Sequence, residues 1–165
     1  MYKIGDVVVY SVSGVCKVED ICKKDFGSFS AEYYILRPIM QSASTVFVPT
    51  QNEKLTAKIH PVLSKESFDK VFALSKTAEF IRPDSEAERR EAFLEILESG
   101  NREDLILMIF DLKKLSQEQA EKGRRLHLAD ERLLGSAQTL LFEEVSYVYD
   151  IDKDLAEEFI MLKLT

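Results

Sequence analysis

The stretch Val7-Val8-Val9-Tyr10-Ser11-Val12-Ser13-Gly14-Val15-Cys16-Lys17-Val18-Glu19-Asp20-Ile21 sets the character of the N-terminal half. Its first four residues are β-branched or aromatic, the types that suit a pleated, half-buried surface. Ser11 to Gly14 carries a turn signal. Val15 to Ile21 then alternates apolar and polar side chains with the period of a strand. Further along, Asp25-Phe26-Gly27-Ser28 predicts the next turn. Tyr33-Tyr34-Ile35-Leu36 predicts a third strand, and Thr45-Val46-Phe47-Val48 a fourth, stopped by Pro49. Asp6 beside Gly5 suits a turn that starts the first strand. Strands this short, joined by short turns, predict a small curled antiparallel barrel, because a parallel sheet would need crossover helices that do not fit.

From residue 51 the apolar period changes from two to about 3.6. Ser64 can cap a helix carrying Phe68, Val71, Phe72 and Leu74 on or near one face. Pro83-Asp84-Ser85 opens a second, with Phe93, Ile96 and Leu97 inward, and Ser99-Gly100 ends it. Asn101 caps a third with Leu105, Met108, Ile109 and Leu112, broken at Gly123. A fourth starts between Leu128 and Asp130 and carries Leu134, Ala137, Leu141, Val145 and Val148. Asp152 is expected to cap the last, with Leu155, Phe159 and Leu162. The expected architecture is a two-domain α+β chain: a β-barrel over 1–53, a linker over 54–63, and an all-α bundle of about five helices over 64–165.

Composition bounds the function. The 165 residues are 45% apolar and 31% charged, as in ordinary soluble domains. No apolar run approaches a membrane-spanning length, and the start Met1-Tyr2-Lys3-Ile4-Gly5-Asp6 lacks the parts of a signal peptide. A cytoplasmic protein without a membrane partner is expected. Cys16 and Cys22 match no zinc or redox spacing and read as reduced thiols in or near a strand. Residues 1–67 carry eight Lys/Arg and seven Asp/Glu, and residues 68–165 carry fourteen and twenty-two. An acidic helical half is a poor generic polyanion binder, so nucleic acid would have to meet a local basic face.

Nothing in the sequence assembles a catalytic motif. The six glycines are isolated, which excludes a phosphate-binding loop, and no nucleophile elbow or metal-binding HExxH is present. Glu86, Glu88 and Glu91, and the pair Glu143-Glu144, could in principle do acid–base work. On amphipathic helices such carboxylates read first as a solvated face. Asp111, within an apolar helix, could be buried and paired. No enzyme, cofactor, metal or small-molecule substrate is expected.

Two features can bind partners. A small open sheet leaves an edge that can pair with a foreign strand. Thr45-Val46-Phe47-Val48 is the best candidate, because Thr45 and Phe47 share the face opposite Val46 and Val48. The competing reading puts Phe47 in the barrel core. The second feature is basic: Lys113, Lys114, Lys122, Arg124, Arg125 and Arg132, and separately the pair Arg89-Arg90, flanked by Glu86, Glu88 and Glu91. Glu118, Glu121, Asp130 and Glu131 are interspersed. Phosphate contact is one reading. Ion pairs on helix surfaces are the other, favoured by the acidic balance.

The residues also resemble a family. Ile4-Gly5-Asp6-Val7-Val8-Val9-Tyr10 followed by Gly14-Val15 resembles the opening of CarD-type (CarD/CdnL) transcription regulators, whose N-terminal domain is shared with the transcription-repair coupling factor. Glu32-Tyr33-Tyr34-Ile35-Leu36 and Val46-Phe47-Val48-Pro49 fall where that family has its later strands. Phe93 to Asn101, Asp111-Leu112 and Leu126 to Val145 are similar to its helical segments, so the resemblance spans nearly the whole chain. It implies a Tudor/SH3-like N-terminal domain that pairs strand to strand with the RNA polymerase β subunit (the β1 lobe). It also implies a helical domain that meets promoter DNA at the upstream edge of the bubble and stabilises the open complex.

By position, the resemblance puts Lys24 where the family often has a basic polymerase-contacting residue and Phe47 in the docking strand; with the edge reading, Lys24, Thr45, Val46 and Phe47 are the candidate polymerase contacts. The basic residues Arg89, Arg90, Lys113, Lys114, Arg124, Arg125 and Arg132, read from the sequence itself, are the candidate DNA contacts for such a domain. Glu86 stands where well-studied members carry a Trp that wedges into the minor groove. The chain departs from the pattern there, since it has no Trp and a carboxylate cannot unstack bases as an apolar wedge does. Ser11 and Ser13 replace the usual Pro and His. About five extra residues lie around Ser116 to Lys122, and Ser136 and Gln138 are neutral where members are often basic. Three functions therefore stay open: a polymerase-binding regulator, a protein–protein adaptor with no DNA contact, and a small enzyme marked by a cleft with a perturbed carboxylate pair.

Overall fold

The structure, a computed structural model, describes residues 1–11, 13–40 and 44–165. Val12, in the first expected turn, lies outside the described residues. Among the described residues five strands form: β1 (Val7–Tyr10), β2 (Gly14–Phe26), β3 (Phe29–Pro38), β4 (Val46–Pro49) and β5 (Ile59–Pro61). They make one antiparallel sheet in the order β4-β3-β2-β1-β5, so β4 and β5 are its edges. Strands β2 and β3 are far longer than the alternating pattern alone marks, at 13 and 10 residues. They run on as a hairpin to the two-residue turn Gly27-Ser28, where Phe26 faces Phe29. A register shift between Val18 and Asp20 lets the β2 pattern change sides midway.

The stretch 54–63 is not a free linker. It holds most of a one-turn helix, α1 (Glu53–Thr56), and then β5, whose Ile59, His60 and Pro61 pair with Tyr10, Val9 and Val8. Three residues carry no readable alternation, and only the long-range pairing with β1 makes them a strand.

Four long helices and a short terminal one follow: α2 (Lys65–Ser75), α3 (Glu86–Ser99), α4 (Arg102–Glu121), α5 (Leu128–Tyr149) and α6 (Ala156–Leu164). Their starts are chemical. Ser64, Ser85 and Asn101 accept from the backbone N–H of Ser67, Glu88 and Asp104, meeting donors that a helix leaves without partners. Helix α3 stops at Gly100, whose φ of 64° is the left-handed conformation open to glycine. The expected Asp152 cap differs: it precedes a 3-10 turn (Lys153–Leu155), and its side chain makes no capping bond.

Two apolar cores result, and one crosses between the halves. Val8, Tyr10, Cys16, Val18, Tyr34, Leu36, Val48 and Ile59 pack on one side of the sheet. Val9 and Val15, paired across β1 and β2, point the other way and join the helical core with Phe68, Phe93, Leu112, Leu141 and Val145. The sheet is thus buried on both faces at its β1–β2 end. Leu74, Leu155 and Leu162, expected inward, are exposed.

Candidate functional site

Register decides which side chains share the outer face of the sheet, the side away from Tyr34, Leu36 and Val48. Phe47 stands opposite Ile35, Cys22 opposite Tyr33, Lys24 opposite Ala31 and Phe26 opposite Phe29. Alternation along β3 puts Phe29, Ala31, Tyr33 and Ile35 on one side, so Lys24 and Phe47 lie on the same face. The rings of Phe26, Tyr33 and Phe47 meet edge to face, with centroids 5.5 Å (Phe26–Tyr33), 5.9 Å (Phe26–Phe47) and 6.3 Å (Tyr33–Phe47) apart. Phe47 is not barrel core: it is 42% exposed, Phe26 55% and Phe29 63%. Val48 is buried, Val46 is half-buried against the inner core, and Thr45 precedes β4 half-buried. Lys24 is exposed. Beyond β4 the sheet has no further described strand, so an aromatic face adjoins an open backbone edge. Phe26 and Phe29 escaped the sequence reading, although Gly27-Ser28 between two phenylalanines is itself a hairpin signal.

The basic residues divide sharply. Arg89 is buried and bonds the fully buried Asp130 at 3.0 Å, so its guanidinium holds α3 to α5 instead of facing solvent. Arg90 reaches the same carboxylate at 3.5 Å and Glu86 at 3.6 Å. Glu86 also meets His127 at 3.3 Å, which places the wedge-equivalent position in an ionic cluster where α3 and α5 begin. Lys113 pairs with Glu157. Lys114, Arg124, Arg125 and Arg132 remain exposed without an ion pair among the described residues. Asp111 is paired as its setting suggests: Arg82 donates to both its oxygens, at 2.9 and 3.0 Å, and also reaches Glu118, drawing that carboxyl below its usual range.

Glu143 and Glu144 overturn the solvated-face reading. Both are buried, where α5 crosses the sheet. Glu143 accepts from the backbone N–H of Val15 at 3.2 Å and pairs with Lys153 at 3.1 Å. Glu144 accepts from the backbone N–H of Leu63 at 2.9 Å and takes a two-pronged bond from Arg102, 2.9 Å at each oxygen. Arg102 continues to the carbonyls of Pro61 and Gly100, each at 2.9 Å. His60 sits beside this knot with Nε2 3.3 Å from the Glu98 carbonyl, and burial, reinforced by Arg102, lowers its pKa. Each carboxylate is spent on backbone N–H groups and a cation, a holding arrangement and not an acid–base pair facing a cleft.

Cys16 and Cys22 are both free and both on β2. Burial pushes the Cys16 thiol up to about 12, which suppresses its thiolate. Among the described residues no three His, Cys, Asp or Glu side chains gather as metal ligands, and no helix is long and apolar enough to cross a membrane.

Residues 2–63, the sheet through β5, match the CarD-like/TRCF RID domain. The chain is also similar to a Bacillus subtilis (strain 168) protein named "Putative transcription factor YdeB". The two are 24% identical over 159 residues, spanning 96% of this chain and 99% of that one. The fold and the family match together define a chain whose N-terminal sheet is similar to the RID domain. The match to the RID domain covers the N-terminal sheet, and the likeness to the Bacillus subtilis protein runs on through the helices.

Proposed function

We propose that this protein is a cytoplasmic transcription regulator that docks on the RNA polymerase β subunit through the β4 edge and the face beside it. One observation carries the reading. Lys24 and Phe47, far apart in sequence, share an exposed face next to an unpaired strand edge, within the segment that matches the RID domain. A free edge supplies backbone donors and acceptors to a partner strand, and the adjoining side chains select which strand pairs. Phe26, Phe29 and Phe47 give the contact an apolar centre of the kind that dominates interface energetics. Docked in this way on the β1 lobe, and so associated with the nucleoid, the protein modulates open promoter complexes. The acidic helical half contributes weak or altered DNA contact through Lys114, Arg124, Arg125 and Arg132.

The test is binding to the isolated β1 lobe. Phe47→Asp and Lys24→Glu should each weaken it, Phe47→Asp by about tenfold or more. No binding by the wild type, or unchanged affinity in both variants, would sink the proposal. A second reading, an adaptor that leaves DNA untouched, is favoured by the burial of Arg89 and by Glu86 at the wedge position. Gel shifts on a promoter fork across a salt series separate the two: regulator binding weakens steeply with salt, whereas an adaptor shows no shift at any salt.

A further inference from the structure

The buried carboxylates on α5 serve no docking face, yet their placement is costly. A carboxylate loses its hydration on burial, and such groups persist where cations and N–H donors replace the lost water. Here the replacements come from both halves of the molecule. Glu143 takes its N–H from β2 and its cation from Lys153 after α5. Glu144 takes its N–H from Leu63, just past β5, and its cation from Arg102 at the start of α4. Arg102 closes the loop by donating to Pro61 in β5 and to Gly100 at the end of α3.

The backbone is cut to fit these contacts. A Cβ on Gly14 would lie 1.7 Å from a Glu143 oxygen, and one on Gly100 would lie 2.5 Å from the His60 ring. Val9 and Val15 seal the apolar side of the same junction.

From this geometry we infer that Glu143 and Glu144, with Arg102, form a latch that fixes the helical half at one angle to the sheet. The protein is then a rigid bracket. Once the sheet is docked, the position of the helical half is set by the latch and not by a flexible hinge. Glu143, Glu144 and Arg102 are positioning residues: they touch no partner, and the transcriptional effect depends on them through orientation. The transcriptional half of this inference rests on the docking reading above. The rigidity half does not.

The test uses the full chain. Backbone 15N relaxation of the wild type should give one rotational correlation time for amides of the sheet and of the helices. Arg102→Ala and Glu144→Ala should keep dispersed spectra but give two different times. Lobe affinity should stay within about twofold, as for distant independent sites. The effect in run-off transcription should fall about tenfold or more as the productive orientation is depopulated. Should Glu144→Ala fail to fold, Glu144→Gln keeps an acceptor for Leu63 while losing the charge that holds Arg102, and carries the same expectations.

Two tumbling times in the wild type would overturn the latch, as would a single time in the variants. Variants that tumble as two bodies yet retain full transcriptional effect would overturn its role. A wild type that fails to bind the lobe would remove the docking reading, and the relaxation data would still decide the latch.

Discussion

At the residue scale, Gly14 and Gly27 form a natural controlled pair. Both have positive φ, 67° and 69°, so a side chain strains either backbone. At Gly27 nothing lies within 4 Å of an added Cβ, whereas at Gly14 the Cβ meets Glu143. Gly27→Ala should cost about 1 kcal/mol, the strain alone. Gly14→Ala should cost at least about 2 kcal/mol more, because it also displaces a buried carboxylate. Urea midpoints read the difference. His60 makes a second prediction. Its pKa is held below the ordinary 6.5 by burial first and Arg102 second, so the unfolded chain takes up its proton at higher pH than the folded one. Stability is therefore full above about pH 6.5 and falls as pH drops below it towards the folded value. His60→Gln should flatten that part of the profile relative to wild type, and an unchanged slope would contradict the assignment.

Elements differ in how far their own residues announce them. Ser64, Ser85 and Asn101 were legible because capping is local: a side-chain oxygen bonds an N–H three residues on, whatever the rest of the chain does. Asn101→Ala should accordingly cost about 1 kcal/mol in chemical denaturation. Strand β5 was not legible, since its identity comes from β1 about fifty residues earlier. The hairpin was legible at its base, Val15 to Ile21 and Tyr33 to Leu36, and at its turn, but its outer arms were not, because Lys23 to Ala31 lacks the alternation that a buried face imposes. The pairing of Lys24 with the Phe47 face was invisible for the same reason, as register is a property of two strands together. Glu143 and Glu144 misled because an amphipathic pattern marks a polar face without saying what covers it. The back of the sheet covers this one.

For the whole molecule, the sequence division into a β half and an α half holds, with a junction more polar than periodicity suggests. Arg89 belongs to that lesson: a basic pair in sequence became one buried tie to Asp130 and one partly exposed arginine. Removing the tie should be expensive, because Asp130 is fully buried and, among the described residues, would keep only the long side-chain contact from Arg90. Arg89→Met should destabilise the fold by about 2–4 kcal/mol in thermal or urea unfolding. Arg124→Glu, on the exposed loop between α4 and α5, should leave stability nearly unchanged and alter only the salt-sensitive part of any DNA binding.

The open β4 edge has a cost for the unbound protein. A bare strand flanked by exposed phenylalanines would accept the same strand of a second copy as readily as a foreign one. The acidic body opposes that encounter, because two copies approaching edge to edge bring two net-negative helical halves together. The same negative charge would in this way keep the molecule monomeric and its adhesive edge available. High salt, by screening the repulsion, should favour homotypic association, with Phe47 at the seam.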